Sequence, residues 1–257
     1  MNFFKIFNNK SSQSRKPTNT TDIDSSEERT SESNQSPKAE DETPVSESKP
    51  VTVHNLIILD ESGSMGAIYE PALTGLNETL QTIRAAQDEH PEQTHIVHMG
   101  TFSTCRMNII YKNTPAQETV DVAKDQYRPN GGTPLYDAMG YAINQLRPIV
   151  KDDDIALVTI ITDGYENASR EFTGPAIRAL VESLKKEGWI FTYIGANQDE
   201  VAVAASMAID NSLGFSADAE GTGAMFEREC RSRKAFFSKV SKGQRKEDLA
   251  NEDYFGW

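Results

Sequence analysis

The stretch VTVHNLIILDESGS, residues 51–64, joins a nearly continuous apolar run to a short polar segment. A run that is apolar on both faces is typical of a central strand in a parallel sheet. A second stretch of the same design, IALVTIITDG, occupies residues 155–164. Both strands are therefore predicted to end in an aspartate, Asp60 in the first and Asp163 in the second.

Helical and strand patterns alternate around these two stretches. Apolar residues recur at helical steps of three and four in residues 73–83, 135–146 and 177–184. Segments 94–104 and 107–112 are too close together for a helical crossover, so they are predicted to pair antiparallel. Two more strands are predicted at residues 189–196 and 212–216. The pattern predicts strands and helices packed in α/β layers, with six strands of which one is antiparallel.

The last predicted helix carries both an apolar stripe and a basic cluster. The stripe contains Met225, Phe226, Phe236, Phe237 and Val240. The basic residues lie toward the C-terminal end, where positive charge offsets the helix dipole; they are Arg231, Arg233, Lys234 and Lys239.

The composition limits the classes of partner and compartment. The 257 residues include 39 acidic and 26 basic ones, a formal charge of −13, which disfavours nucleic acid as a partner because phosphate would be repelled. No apolar run approaches the ~18 residues of a transmembrane segment. Cys105 and Cys230 cannot form a disulfide framework and have no zinc-binding spacing. We therefore expect a soluble cytoplasmic protein, of unknown oligomeric state.

The domain boundaries are predicted from where apolar residues begin and end. Residues 1–50 form a polar tail that is predicted to be disordered, although Phe3, Phe4, Ile6 and Phe7 could dock on a partner or membrane. Residues 51–240 form the folded domain. Residues 241–257 form a C-terminal tail, whose Tyr254, Phe255 and Trp257 either fold back onto the domain or act as a peptide tag.

Three oxygen-rich segments are predicted to meet at one edge of the sheet. Parallel strands place their carboxyl ends together at the topological switch point, so Asp60 and Asp163 should converge. The loop Gly131-Gly132-Thr133 can bring a third segment to the same crevice. Two carboxylates and the hydroxyls of Ser62, Ser64 and Thr133 form a hard-oxygen set that suits Mg²⁺ or Mn²⁺ better than zinc or copper. A carboxylate from a partner could complete the coordination shell.

The motifs DESGS (60–64), GGT (131–133) and TDG (162–164), in this order, resemble those of the von Willebrand factor A domain and its metal-ion-dependent adhesion site. The resemblance covers residues 51–240 and implies an α/β fold: a doubly wound, mainly parallel six-stranded sheet with one antiparallel strand and helices on both faces. It implies that Mg²⁺ is held, directly or through water, by Asp60, Ser62, Ser64, Thr133 and Asp163. Glu61 adds a negative charge that either tunes the choice of cation or faces solvent.

Two functions remain open from the sequence. The first is a non-enzymatic, metal-dependent interaction module whose protein partner presents Asp or Glu. The alternative is a Mg²⁺-dependent phosphoryl-transfer or hydrolytic enzyme, which is disfavoured because the chain has no GxxxxGK[ST] loop and no GxSxG motif.

Several nearby residues also have simpler interpretations. Thr133 before Pro134 has the pattern of a helix N-cap, and residues 165–167 could line the rim of the site. His95 and His98 should lie on opposite faces of a strand and cannot share a metal. Residues 152–154 form an acidic run that is predicted to be a solvated turn.

Overall fold

The computed structural model describes residues 50–196 and 199–256. The predicted tail at residues 1–49, with its aromatic cluster, and Trp257 lie outside the described residues. The strands are β1 (Val51–Asp60), β2 (Gln93–Phe102), β3 (Met107–Pro115), β4 (Ile155–Thr162), β5 (Ile190–Ala196) and β6 (Asn211–Phe215). The helices are α1 (Tyr69–Glu89), α2 (Leu135–Leu146), α3 (Gly174–Lys186), α4 (Glu200–Ser206), α5 (Ala219–Ser241) and α6 (Lys246–Leu249).

The six strands form one sheet in the order β3-β2-β1-β4-β5-β6. Every neighbouring pair is parallel except β2 and β3, which are antiparallel. The predicted fold is therefore confirmed, including its single antiparallel strand. Because β1 lies between β2 and β4, its carboxyl end has a strand end on both sides: Asp60 is level with Phe102 of β2, and Leu59 is level with Ile161 of β4.

Helices cover both faces of the sheet and bury two apolar layers. One layer contains Leu76 and Leu80 of α1 with Phe226 and Phe237 of α5. The other layer contains apolar residues of α2 and α3, such as Met139 and Val181, against the opposite face. The crossover from β1 to β2 and the crossover from β3 to β4 thus lie on opposite faces, which opens a crevice at the carboxyl ends of β1 and β4.

The C-terminal residues pack on the domain instead of forming a separate tail. Leu249, Tyr254 and Phe255 are buried in the same apolar layer as α1 and α5. Of the two alternatives for this segment, the structure shows folding back for Tyr254 and Phe255. The domain boundary predicted at residue 240 is thus too early, because the fold continues to the end of the described residues.

The basic cluster of α5 corrects a second prediction. Arg233 is fully buried and its guanidinium faces the sheet, donating to Glu229, to Asn55 of β1 and to Thr159 of β4. Arg231, two residues earlier, is exposed and pairs with Glu227. Arg233 therefore belongs to a buried ionic network and does not serve as a surface cation at the helix end.

A buried polar chain crosses three strands on the other face of the sheet. The backbone N–H of Asn113 donates to Nδ1 of His98 at 3.3 Å, so His98 carries its hydrogen on Nε2. That hydrogen points at Nδ1 of His54, 3.1 Å away, and Nε2 of His54 then donates to Asp154 at 3.1 Å. The prediction that residues 152–154 form a solvated turn is wrong for Asp154, which is buried.

None of the helices in the described ranges is both long enough and apolar enough to cross a membrane.

Candidate metal site

The first predicted ligand, Asp60, is the last residue of β1 and lies inside the protein. Asp60 is fully buried, and each of its carboxylate oxygens accepts a hydrogen bond. Oδ1 accepts from the backbone N–H of Ser62 at 2.7 Å, and Oδ2 accepts from the hydroxyl of Thr162 at 2.6 Å. The bond from Thr162, the last residue of β4, ties the carboxyl ends of the two central strands together.

A chain of hydrogen bonds joins the first and third segments. Ser64 Oγ donates to Oδ1 of Asp163 at 2.7 Å, and the hydroxyl oxygens of Ser62 and Ser64 lie 3.1 Å apart. Because the hydrogen of Ser64 points at Asp163, Ser62 is the donor in the bond between the serines. Both serine hydroxyls thus lie between the two aspartates.

Thr133 reaches the same place from the second segment. The residue is 2 % exposed. A Cβ atom added at Gly164 would lie 3.3 Å from Oγ1 of Thr133 and 3.8 Å from Oγ of Ser64. Both hydroxyls therefore point toward the open space beside Gly164. The fold brings all five predicted ligands to one crevice.

Thr133 does not serve as the N-cap of α2, so that interpretation is wrong. Pro134 is the N-cap residue, and no side chain caps the helix from that position. The first turn is capped from the third segment instead, because Oε2 of Glu166 accepts from the backbone N–H of Tyr136 at 2.9 Å. The Thr133 hydroxyl makes no hydrogen bond within the described part of the chain and is free to act as a ligand.

The electrostatics of the crevice fit a cation. Burial raises the pKa of Asp60 to about 6, and the charge of Asp163 adds to the rise, while the bonds from Thr162 and Ser62 lower it. Burial also raises the pKa of Asp163, against the bond from Ser64. A neighbouring positive charge would stabilise both ionised carboxylates.

The donor atoms also match a hard cation. Within residues 50–196 and 199–256, no three His, Cys, Asp or Glu side chains are grouped to hold a metal ion, so a cation held here would need hydroxyl ligands as well as carboxylates. Two carboxylates with three hydroxyls suit Mg²⁺ or Mn²⁺. The residues present therefore fit the metal that the sequence motifs imply.

Comparison with known proteins identifies the fold. No protein-family model matches the sequence, and no curated protein matches it. Among solved structures, the von Willebrand factor domain of the type V pilus tip protein Mfa5 from Porphyromonas gingivalis matches with a TM-score of 0.52 and 11% identity, over 76% of this chain and 97% of that chain. The chain has the von Willebrand factor A fold.

Other proteins share this fold with the chain. The PilB minor pilin from Streptococcus sanguinis matches with a TM-score of 0.54 and 12% identity, over 77% of this chain and 64% of that one. Proximal thread matrix protein 1 from the mussel byssus matches with a TM-score of 0.51 and 16% identity, over 69% of this chain and 44% of that one. The chain thus spans less than half the length of the mussel protein, and identities this low establish the shared fold alone.

In this von Willebrand factor A fold, backbone contacts fix the second segment. Gly131 has a φ of +81°, a value that glycine adopts without strain. The carbonyl oxygen of Gly131 accepts from the backbone N–H of Gly63 at 2.9 Å. Thr104 holds Gly132 twice, by its backbone N–H at 3.0 Å and by its hydroxyl at 2.8 Å. Thr133 is therefore placed by bonds that involve no potential metal ligand.

Glu61 does not face solvent, so that alternative is wrong, whereas its effect on the choice of cation stays a prediction. The side chain is fully buried. Its carboxylate accepts from the Thr101 hydroxyl at 2.6 Å, from the Arg106 guanidinium and from the backbone N–H of Arg128. Arg106 neutralises the charge, and Glu61 anchors the loop that leads to Gly131. The alternation of side chains along β1 predicts that residues 60 and 61 point in different directions.

The rim residues that follow Asp163 have different roles. Glu166 uses its carboxylate to accept four hydrogen bonds, from the backbone of residues 136, 168 and 169 and from the hydroxyl of Ser169. Asn167 exchanges two bonds with the backbone of Thr133. Tyr165 is 56 % exposed, so its side chain is available to a partner.

The role of Thr162 goes beyond its membership of the TDG motif (162–164). Its hydroxyl is the donor that holds Asp60. Its position, directly before Asp163 on a strand predicted to lie beside β1, is the signal that could have found it.

Proposed function

We propose that this chain is a non-enzymatic, divalent-cation-dependent protein-interaction module. Mg²⁺ or Mn²⁺ would be held by Asp60, Ser62, Ser64, Thr133 and Asp163, and an Asp or Glu of a partner protein would complete the coordination. The observation that carries this proposal is the convergence of the Ser64 and Thr133 hydroxyls beside Gly164, next to the two raised-pKa carboxylates.

The hydrogen bonds around Asp60 support the choice of an acidic partner. Thr162 and the backbone of Ser62 each withdraw charge from one oxygen of this carboxylate, and the three hydroxyl ligands are neutral. A bound cation would therefore keep enough positive charge to attract a carboxylate oxygen from outside. Ser64 and Gly63 are exposed, so a partner can approach the crevice directly.

The net charge of the whole chain also limits the chemistry of the partner. A protein with a formal charge of −13 repels acidic surfaces at long range, so an acidic residue would be recognised locally, through the cation. The exposed ring of Tyr165 provides apolar surface beside Asp163. We infer that the partner presents one carboxylate at the centre of an otherwise uncharged or basic surface.

Calorimetry with Mn²⁺ tests the site itself. We expect wild-type protein to bind one Mn²⁺ at roughly micromolar to millimolar strength, and the double variant Asp60→Ala, Asp163→Ala to lose binding. Gly164→Ala should weaken binding by about tenfold, or 1.4 kcal/mol, because its Cβ would crowd the two hydroxyls.

Gly66→Ala is the matched control for Gly164→Ala. A Cβ atom at Gly66, in the turn after Ser64, meets no atom within 4 Å, so this variant should bind Mn²⁺ as wild type does. Equal Mn²⁺ uptake by wild type and the double aspartate variant would show that the site is assigned wrongly.

Capture of a partner tests the function. Thr133→Val removes the hydroxyl but keeps the shape, and the bonds between the Thr133 backbone and Asn167 remain. We expect Thr133→Val to stay folded and to lose the partner that wild type captures in Mg²⁺, and Thr133→Ser to retain it. EDTA should release the partner from wild type.

The outcome against the proposal is equally clear. If folded Thr133→Val captures the same partner in EDTA as strongly as wild type does in Mg²⁺, the interaction surface lies elsewhere on the chain.

A further inference from the structure

The strand β3 leaves one edge of the sheet unpaired. It is the end strand of the sheet, and no strand in the described part of the chain pairs with its outer side. Free backbone N–H and C=O groups at such an edge can accept another strand, and proteins usually block them with charges, prolines or bulges.

The blocking features of β3 are confined to its second half. Lys112 is exposed, Asn113 has a φ of +51°, and Pro115 ends the strand. The pairing with β2 shifts register between Val97 and Gly100, opposite this half. The register shift between Met99 and Gly100 falls at Ile110, so only residues 107–109 combine regular pairing with the absence of charge and proline. These residues are therefore the open part of the edge.

The open half also presents apolar side chains that are partly uncovered. Met107 is 40 % exposed and Ile109 is 47 % exposed. Ile109 lies opposite Gly100 of β2, which has no side chain to pack against it. Cross-strand side-chain pairs stabilise sheets, so Ile109 lacks this contact on one side and has an open edge on the other.

A cavity of about 60 Å³ lies behind these two side chains, between β3 and α2. It exists because small residues face each other there: Gly100 on β2 and Ala138 and Ala142 on α2. The volume exceeds the roughly 10–15 Å³ that one water molecule needs on the same measure. Its walls are mainly apolar, so it suits an apolar side chain better than water.

The charges near the cavity argue against a second copy of the chain as the occupant. Antiparallel self-pairing centred on Ile109 would place Lys112 of each copy opposite Arg106 of the other, and like charges opposite each other destabilise a sheet. Among the described residues, Lys112 is also the only formally charged one that lines the cavity. A strand with a carboxylate near Lys112 would complement it.

We propose that β3 is a strand-addition site for an extended segment of another protein, one with alternating apolar side chains and an acidic residue at one end. The segment would pair with residues 107–109, cover Met107 and Ile109, and place one apolar side chain in the cavity beside Gly100. Its acidic residue would lie near Lys112. This site does not require the cation of the proposed function.

The test uses the full chain, labelled with ¹⁵N, and a synthetic probe. The probe is an acetylated peptide of nine alternating valine and threonine residues. Two glutamates follow at its C-terminal end. We expect binding at about 10⁻⁴ M, because a single added strand buries less than the ~1,200 Å² of a stable interface. Amide signals of residues 107–111 should shift and their hydrogen exchange should slow, equally in Mg²⁺ and in EDTA.

Variants separate the strand edge from other surfaces. Ile109→Lys places a charge on the open edge and should weaken peptide binding by about tenfold or more. Lys112→Glu should weaken it severalfold and reverse its salt dependence. Val120→Lys, at an exposed apolar residue outside β3, is the matched control and should bind as wild type does.

Several results would overturn this proposal. They are the absence of binding at millimolar peptide, equal binding of a peptide whose central valine is replaced by proline, and unchanged binding by folded Ile109→Lys. Concentration-dependent dimers that Ile109→Lys abolishes would assign the edge to a second copy instead.

Discussion

Replacing Arg233 with methionine is expected to lower the free energy of unfolding by about 3–5 kcal/mol, because it leaves a buried charge without its partner. Arg233 and Glu229 are both fully buried, with an ion-pair distance of 2.6 Å. Burial opposes the charge of Arg233, but the carboxylate of Glu229 more than compensates and raises the pKa of Arg233. Asn55 and Thr159 would also lose a donor.

Thermal unfolding measures this effect. For a folded part of about 200 residues, we expect Arg233→Met to lower Tm on the order of 10 °C. Arg231→Met is the matched control, since Arg231 lies two residues away on the same helix in an exposed pair with Glu227, and exposed pairs contribute only about 0–1 kcal/mol.

A double variant distinguishes the ion pair from simple packing. In Glu229→Leu, Arg233→Met, neither charge is left buried alone, so we expect much of the lost stability to return and a coupling energy of about 2 kcal/mol or more. If Arg233→Met is as mild as Arg231→Met, or if the two substitutions simply add, the buried network does not hold α5 on the sheet.

The apolar pattern was enough to predict the elements of the fold. Strands β1 and β4 are buried on both faces, and the runs at 51–60 and 155–162 predict them because apolar residues dominate both runs. The short loop between β2 and β3 predicted the antiparallel pair. The edge strand β6 was predicted at residues 212–216 and lies at Asn211–Phe215, one residue earlier. The prediction is close because polar residues flank the strand on both sides.

The buried charges were harder to predict. Glu229 and Arg233 are four residues apart, on the same side of α5 as Met225 and Phe236, and helical spacing alone could have placed them on the apolar stripe. The positive charge of Arg233 favours the helix end, whereas its position places it on the apolar stripe. The position of a residue on the helix determines whether it is buried. A charged residue can be buried at such a position when its ion-pair partner lies one turn away.

The ligands of the candidate site were predicted more completely than the residues that hold those ligands in place. Its five oxygen donors come directly after strand ends, where the topology brings them together. The groups that hold them in place come from elsewhere: Thr104 fixes Gly132, Asn167 fixes Thr133, and Glu166 caps α2. These contacts join residues 28–34 positions apart in sequence, and no local pattern marks them.

Acidification is expected to destabilise the protein through His95 and His98. Burial lowers the pKa of His95 to about 4, and the charges of His90 and Arg233 contribute to the fall, while Glu92 opposes it. Burial and the neighbouring His54 lower the pKa of His98 to about 4. An unfolded chain has histidines with a pKa near 6.5. Between pH 6.5 and 4, the unfolded state therefore binds more protons than the native state.

The sign of the effect follows from this difference. The stability that the two neutral histidines contribute is fully present above pH 6.5 and is lost as the pH falls toward 4. The loss is about 2 kcal/mol per histidine between pH 7.5 and 5. Asp60 acts in the opposite direction, because its pKa is raised to about 6, and the native state gains about 1 kcal/mol from it over the same range. The two histidines together therefore outweigh Asp60. Asp163, whose pKa is also raised by burial, reduces the loss further.

His95 offers the cleaner test of the two histidines. Neither of its ring nitrogens has a hydrogen-bond partner in the described part of the chain, and its ring packs edge-on against Phe237, with centroids 4.4 Å apart. His95→Leu therefore removes a titrating group without removing a side-chain hydrogen bond. His98 is less suitable, because its replacement would also break the bonds to His54 and Asn113.

Urea unfolding at pH 7.5 and at pH 5 measures the change. We expect His95→Leu to lose about 2 kcal/mol less than wild type between the two pH values. An unchanged pH dependence in His95→Leu would mean that His95 accepts a proton in the native state, which requires a hydrogen-bond acceptor beside its ring. The packing of α5 against β2 at Phe237 would then have to open to admit one, and hydrogen exchange at Phe237 would detect that opening.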